Sequence, residues 1–169
     1  MNKLILPLII IFAAMTRLIP HPPNFTPIIA IGLFSGYYVK NRSFAILLPI
    51  LAMFFSDLFL GSHKTIYWVY GSLILVTFLG MLLIQKVNVR NCLISSISGA
   101  CIFFLITNFG VWVTSSYYPK TLEGIIVCYT MALPFFGNTM ISSLLYTGIL
   151  FSIYEFYRSY HSKIISNSI

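Results

Sequence analysis

Apolar residues fall along this chain in seven blocks, at about 4–19, 28–39, 43–60, 66–85, 91–113, 125–134 and 138–157, separated by short polar connections. A helix rises about 1.5 Å per residue and a bilayer's hydrocarbon core is about 30 Å thick, so about 20 apolar residues are needed to cross it. The fourth and fifth blocks meet that length, and the first, third and last come close. The second is short, with Thr26 placed to cap it and Pro27 in its first turn, where a missing N–H costs nothing. Pro134 and Gly137-Asn138 interrupt the stretch 125–157, which reads as a short helix at the membrane edge followed by a full span. The pattern predicts a single all-α polytopic domain over residues 1–169, with about six transmembrane helices and one short non-crossing helix.

Composition identifies the solvent as lipid. Apolar residues make up 59% of the chain and charged residues 8%, far below the roughly 25% charged expected of a soluble domain. Ten Lys and Arg against three acids could indicate nucleic acid. Here the basic residues stand singly or in pairs between apolar runs, as in loops at an anionic membrane surface, so the expected partner is a bilayer and not nucleic acid. Cys92, Cys101 and Cys128 have no CxxC spacing and read as small buried hydrophobes. Met1-Asn2-Lys3 before an apolar run has the outline of a signal peptide, but Ala13-Ala14-Met15 fits a cleavage site poorly, and a retained first helix is expected.

With a cytoplasmic amino terminus, Lys3, Lys40, Arg42, Lys86, Arg90, Arg158 and Lys163 fall on one side and Arg17, Lys64 and Lys120 on the other. That excess predicts a multi-pass protein of a bacterial cytoplasmic (inner) membrane with both termini inside. The outward connections, Thr16–Pro27, Gly61–Thr65 and Thr114–Gly124, then hold most of the chemical diversity.

The candidate site residues follow from that sorting. Asp57, about a turn from its helix end, is costly in lipid unless paired; it reads either as a functional acid or as an ion pair with Lys64 or Arg17. His63 is a turn residue or a ligand contact. Asn108 and Trp112 share a helix face and could grip a planar polar ligand, with Tyr117 and Tyr118 as rim or interfacial belt. Lys120 and Glu123 would orient the ligand by charge. The segment RLIPHPPNFTP, with Arg17, His21 and Asn24, has four prolines in eleven residues and is a stiff wall, a lid or a hard stop. Gly32 and Gly36 form a GxxxG groove for a helix of the same chain or of another subunit. No HExxH, GxSxG or P-loop pattern is present. His21, His63 and Asp57 have no spacing that demands a metal, so neither an enzyme nor a cofactor is expected.

The segments RLIPHPPNFTPIIAIGLFSGYY, SDLFLGSHK and ITNFGVWVTSSYYPKTLEGIIVCYTMALPFFGNT resemble a family of small, functionally uncharacterised bacterial membrane proteins. That family is similar in turn to the substrate-binding S components of energy-coupling factor (ECF) transporters. The resemblance implies six membrane helices and an outward pocket for a vitamin- or micronutrient-like solute. It also implies a partner, a transmembrane coupling subunit with cytoplasmic ATPases. S components commonly dock through alanine-x-x-x-alanine on the first helix; Ala13 and Ala14 lack that spacing, and Gly32 and Gly36 are the candidates in its place. The rival expectation is a membrane scaffold or assembly protein without a ligand. A membrane-embedded hydrolase or transferase comes third.

Overall fold

The computed structural model describes residues 5–61 and 64–167. Those residues form helices and loops only: α1 (Ile5–Met15), a 3-10 turn (Thr16–Leu18), α2 (Ile28–Tyr38), α3 (Arg42–Leu60), α4 (Ile66–Leu83), α5 (Val89–Thr114) and α6 (Leu122–Asn167). Four of them, α3 to α6, are long and apolar enough to cross a membrane, and the protein is an all-helical membrane protein. The two other helices have 11 residues each, about 16 Å of helix, so a count of six crossings would depend on them.

The short α2 is the centre of the fold. From Pro27 to Gly36 every residue is buried, and α2 packs against all the other helices. In lipid no hydrophobic driving force draws helices together, so close van der Waals approach between small residues must do so. The α2–α4 contact is built this way from both sides. A Cβ on Gly36 would sit 2.2 Å from the Thr77 carbonyl oxygen, and one on Gly80 would sit 2.4 Å from that of Leu33. The Gly32–Gly36 groove is therefore filled by α4 of the same chain and is closed to any other subunit.

Backbone groups in a membrane must find partners within the protein. Pro49 lies inside α3 and has no N–H for the carbonyl of Ala45 one turn earlier. The Ser35 hydroxyl of α2 donates to that carbonyl at 2.9 Å. A proline that would otherwise leave a bare acceptor in the core thus becomes the tie between α2 and α3.

One expectation is overturned. Residues 125–134 and 138–157 are not two helices: α6 runs unbroken for 46 residues through Pro134 and Gly137-Asn138. Pro134 and Gly137 are both exposed, and Gly137 has nothing within 4 Å of where a Cβ would be. No packed neighbour forces a break there. Membrane helices tolerate such residues, and α6 stays paired with α5 on both sides of the proline through Tyr129–Leu105 and Ser143–Ser96 hydrogen bonds.

Two ends of the bundle can be told apart. The loop end carries residues 16–27, 61, 64–65 and 115–121, and the basic end carries 39–41, 84–88 and the tail of α6.

Candidate functional site

The polar residues of the loop end fall into three groups, each positioned by a different part of the fold. The first is buried. Arg17, in the 3-10 turn after α1, reaches α3 and donates to Asp57 Oδ1 at 2.8 Å, with side-chain exposures of 13% and 7%. The same guanidinium donates to the Ser56 hydroxyl and, at 3.4 Å, to the Met53 carbonyl, about two turns before the end of α3. The other carboxylate oxygen of Asp57 accepts from the Tyr70 hydroxyl of α4 at 3.1 Å. A buried carboxylate is stable only if paired and hydrogen-bonded, and here two helices and a turn meet that need together. Ser56 and Tyr70 are not among the sequence candidates. Ser56 adjoins Asp57 in the chain, while Tyr70 gives no signal beyond being one of many aromatics.

The second group is the proline-rich segment. Asn24 adopts a left-handed backbone, φ 63°, which asparagine tolerates better than most residues. That turn aims successive groups at α6. Asn138 Nδ2 donates to the Pro23 carbonyl at 3.0 Å, Ser142 Oγ shares its one hydrogen between the Thr139 carbonyl at 3.1 Å and the Asn24 carbonyl at 3.4 Å, and the Phe25 ring meets Tyr146 edge-on at 6.0 Å. Residues 138, 142 and 146 are one helical turn apart, so three turns of a single α6 face receive three consecutive loop residues. Tethered to α3 by Arg17 and to α6 by these bonds, the segment is a strap between two helices.

Its depth matters most. Asn138 stands 16 residues after Leu122, about 24 Å down the α6 axis, so the strap lies deep in the bundle and not over its rim. Every residue from Leu18 to Asn24, His21 included, is nevertheless exposed. Below it α5 and α6 bury most of the side chains they bury at all. After Asn138, α6 buries Thr139, Ser142, Ser143, Thr147, Leu150, Phe151 and Tyr154; before Asn138 it buries only Gly124, Cys128 and Ala132. Likewise α5 buries Ser95, Ser96, Gly99 and Ala100 near its start and only Gly110 beyond. The loop-end halves of α5 and α6 therefore bury few side chains of their own, while α3 and α4 still bury Ala52, Met53, Val69 and Leu73 there and Trp68 packs on Gly110.

The third group is the α5–α6 turn, and it is largely closed on itself. Asn108 donates to its own helix at Phe104. Trp112 Nε1 donates to the Pro119 carbonyl at 3.0 Å. Lys120 donates to the carbonyls of Trp112 and, at 2.8 Å, Ser115, satisfying acceptors left open at the α5 terminus, and its ammonium lies 5.5 Å from the Trp112 ring centre. Gly124 is required here, since a Cβ would stand 2.0 Å from the Pro119 oxygen. Glu123 sits in the first turn of α6, where a negative charge is favoured. Tyr117 is 86% exposed and Tyr118 half-buried. Among the described residues no hydrogen bond or ion pair joins this turn to Arg17 or Asp57. Lys120→Ala is expected to fray the last turn of α5 and lower stability by about 1 kcal/mol, read as faster amide exchange at Thr114–Ser115 with the rest of α5 unchanged.

Lys3 and His63 lie outside the described residues. Among those described, no three His, Cys, Asp or Glu side chains are close enough to hold a metal ion.

Residues 1–164 match the model of a family of unknown function, DUF6580. The chain belongs to the DUF6580 family. No curated protein and no solved structure matches it. For this DUF6580 protein the best-formed feature of the loop end is thus the strap and its two anchors, and not the Trp112–Lys120 turn.

Proposed function

We propose that the protein captures a small solute between the strap and the loop-end halves of α5 and α6 and serves as the substrate-binding membrane subunit of an uptake system. The observation that carries this reading is the strap: a stiff, exposed segment held about 24 Å down α6, beside the stretches of α5 and α6 that bury few side chains. A small-molecule site usually is an apolar recess with a few placed polar groups, and the exposed strap beside sparsely packed helix faces offers the elements of one. In this reading the strap is the floor, with His21 facing the solute. Arg17, Asp57 and Tyr70 hold one wall, and Trp112, Tyr118 and the α5–α6 turn form the rim. The excess of basic residues at the opposite end supports a loop end outside the cell and both termini inside, in a bacterial inner membrane.

The likeness to ECF S components supports a vitamin- or micronutrient-like solute and a coupling subunit with cytoplasmic ATPases. Since α4 occupies the Gly32–Gly36 groove, such a subunit would have to dock elsewhere. A ligand-free scaffold is the second reading, favoured by one observation: Asn108, Trp112 and Lys120 direct their donors to their own backbone.

The geometry of the recess has a direct test. In a variant lacking the native cysteines, His21→Cys is expected to react with a membrane-impermeant maleimide added to intact cells. Phe156→Cys, at the basic end, is expected to react only after permeabilisation. Reaction of His21→Cys only in permeabilised cells would sink the outward recess.

A further inference from the structure

A groove lies at the other end of the molecule. Between the start of α5 and the last third of α6 runs a groove of about 430 Å³, with Cys92, Leu93 and Ser96 on one side and Leu144, Thr147 and Phe151 on the other. Its floor is open at Gly148, where nothing comes within 4 Å of the position a Cβ would take. Thr147 is 1% exposed, and its hydroxyl has no hydrogen-bond partner. From Leu144 to the mouth at Glu155 the groove extends 11 residues, about 16 Å, into helices that cross the membrane.

The mouth has a different chemistry. Val87, Asn88 and Val89 line it, which places the amino terminus of a 26-residue helix at the opening. The Asn88 side chain accepts from the Asn91 amide at 2.7 Å, and Asn91 donates to the Lys86 carbonyl at 2.9 Å, so this first turn is fixed in place. The amides of Val89 and Arg90 precede the first intrahelical bond, from Cys92 to Asn88, and carry the positive end of the helix dipole. Lys86 and Arg90 flank the turn and are exposed. One carboxylate faces the mouth, Glu155. It is neutralised by Arg158 at 2.7 Å and accepts from the Tyr38 hydroxyl at 2.5 Å.

An apolar slot at membrane depth beneath a positive, amide-rich opening fits an amphiphile with an anionic head. We infer that the α5–α6 groove holds one acyl chain of an anionic phospholipid from the basic-end leaflet, with its phosphate at the α5 amino terminus beside Lys86 and Arg90. Annular lipid would exchange freely along the whole perimeter. This one is held because helix dipole, basic side chains and slot coincide at one place.

The test uses the full chain purified in detergent and offered phosphatidylglycerol or phosphatidylcholine, with retained lipid read by native mass spectrometry. The wild type is expected to keep one phosphatidylglycerol at collision energies that strip phosphatidylcholine. Gly148→Leu, whose side chain has room to enter the slot, is expected to lower retention about tenfold with an unchanged helical signal and Tm. Lys86→Gln with Arg90→Gln is expected to abolish the preference between the two lipids while still admitting a chain. Equal retention of both lipids by the wild type would overturn the inference. So would full retention by folded Gly148→Leu, or a protein segment found cross-linked in the groove instead of lipid.

Discussion

Asp57→Ala is expected to destabilise the protein by about 3–5 kcal/mol, because it leaves the buried Arg17 guanidinium without its counter-charge. Arg17→Ala should cost a similar amount by exposing the opposite fault, a buried carboxylate left with the Tyr70 hydroxyl but no counter-charge. Both side chains are less than one-seventh exposed, so solvent screening relieves little of either penalty. Removing both charges together, as in Arg17→Met with Asp57→Leu, should cost less than either single change, since no uncompensated charge remains. The measurement is a double-mutant cycle of unfolding in detergent. Single losses below about 1 kcal/mol that simply add would show that the pair is a surface contact and does not anchor the strap.

The second large effect belongs to the α2–α4 contact. Gly36→Ala places a methyl group 2.2 Å from a backbone oxygen, which has no rotamer by which to move aside. It should cost about 3 kcal/mol or more, at the upper end of overpacking penalties. Gly32→Ala meets Val76 and Thr77 side chains at 3.1 and 3.3 Å and should cost clearly less. Gly137→Ala meets nothing, and by helix propensity alone should gain about 0.5–1 kcal/mol. Thermal unfolding of the three variants checks the order. If Gly36→Ala were as well tolerated as Gly137→Ala, α2 would not be packed on α4 as described, and the Gly32–Gly36 groove would be free for another subunit.

The helical membrane architecture is legible from apolar block length alone. Expected blocks at 43–60, 66–85 and 91–113 correspond to α3 (Arg42–Leu60), α4 (Ile66–Leu83) and α5 (Val89–Thr114), because in lipid the limits of apolar sequence are nearly the limits of helix. The expected break at Pro134–Asn138 does not occur because proline and glycine end helices mainly where water or packing rewards the end. On an exposed face of a membrane helix neither applies.

The Arg17–Asp57 pair is one of the two pairings that charge economy allows for the acid. The partners of the strap are hidden in the sequence, since Asn138 meets Pro23 across 115 positions and no periodicity records so distant a contact. Beside Gly137, Asn138 reads as a helix breaker, yet an amide inside an apolar helix is itself a reason to look for a partner. Trp112 and Lys120 read as free ligand contacts only while local capping is overlooked, and that capping becomes visible once the end of α5 at Thr114 is known.

A small solute bound beside the strap should survive gentle purification. Small molecules released from gently solubilised, purified protein, identified and counted by mass spectrometry, test it most directly. A single compound near one per chain is expected in the wild type. The strap variant Asn138→Ala with Ser142→Ala should lose it about tenfold while remaining folded. Wild-type protein, folded and freshly purified, that carries no compound depleted in the strap variant would contradict the claim and favour the scaffold.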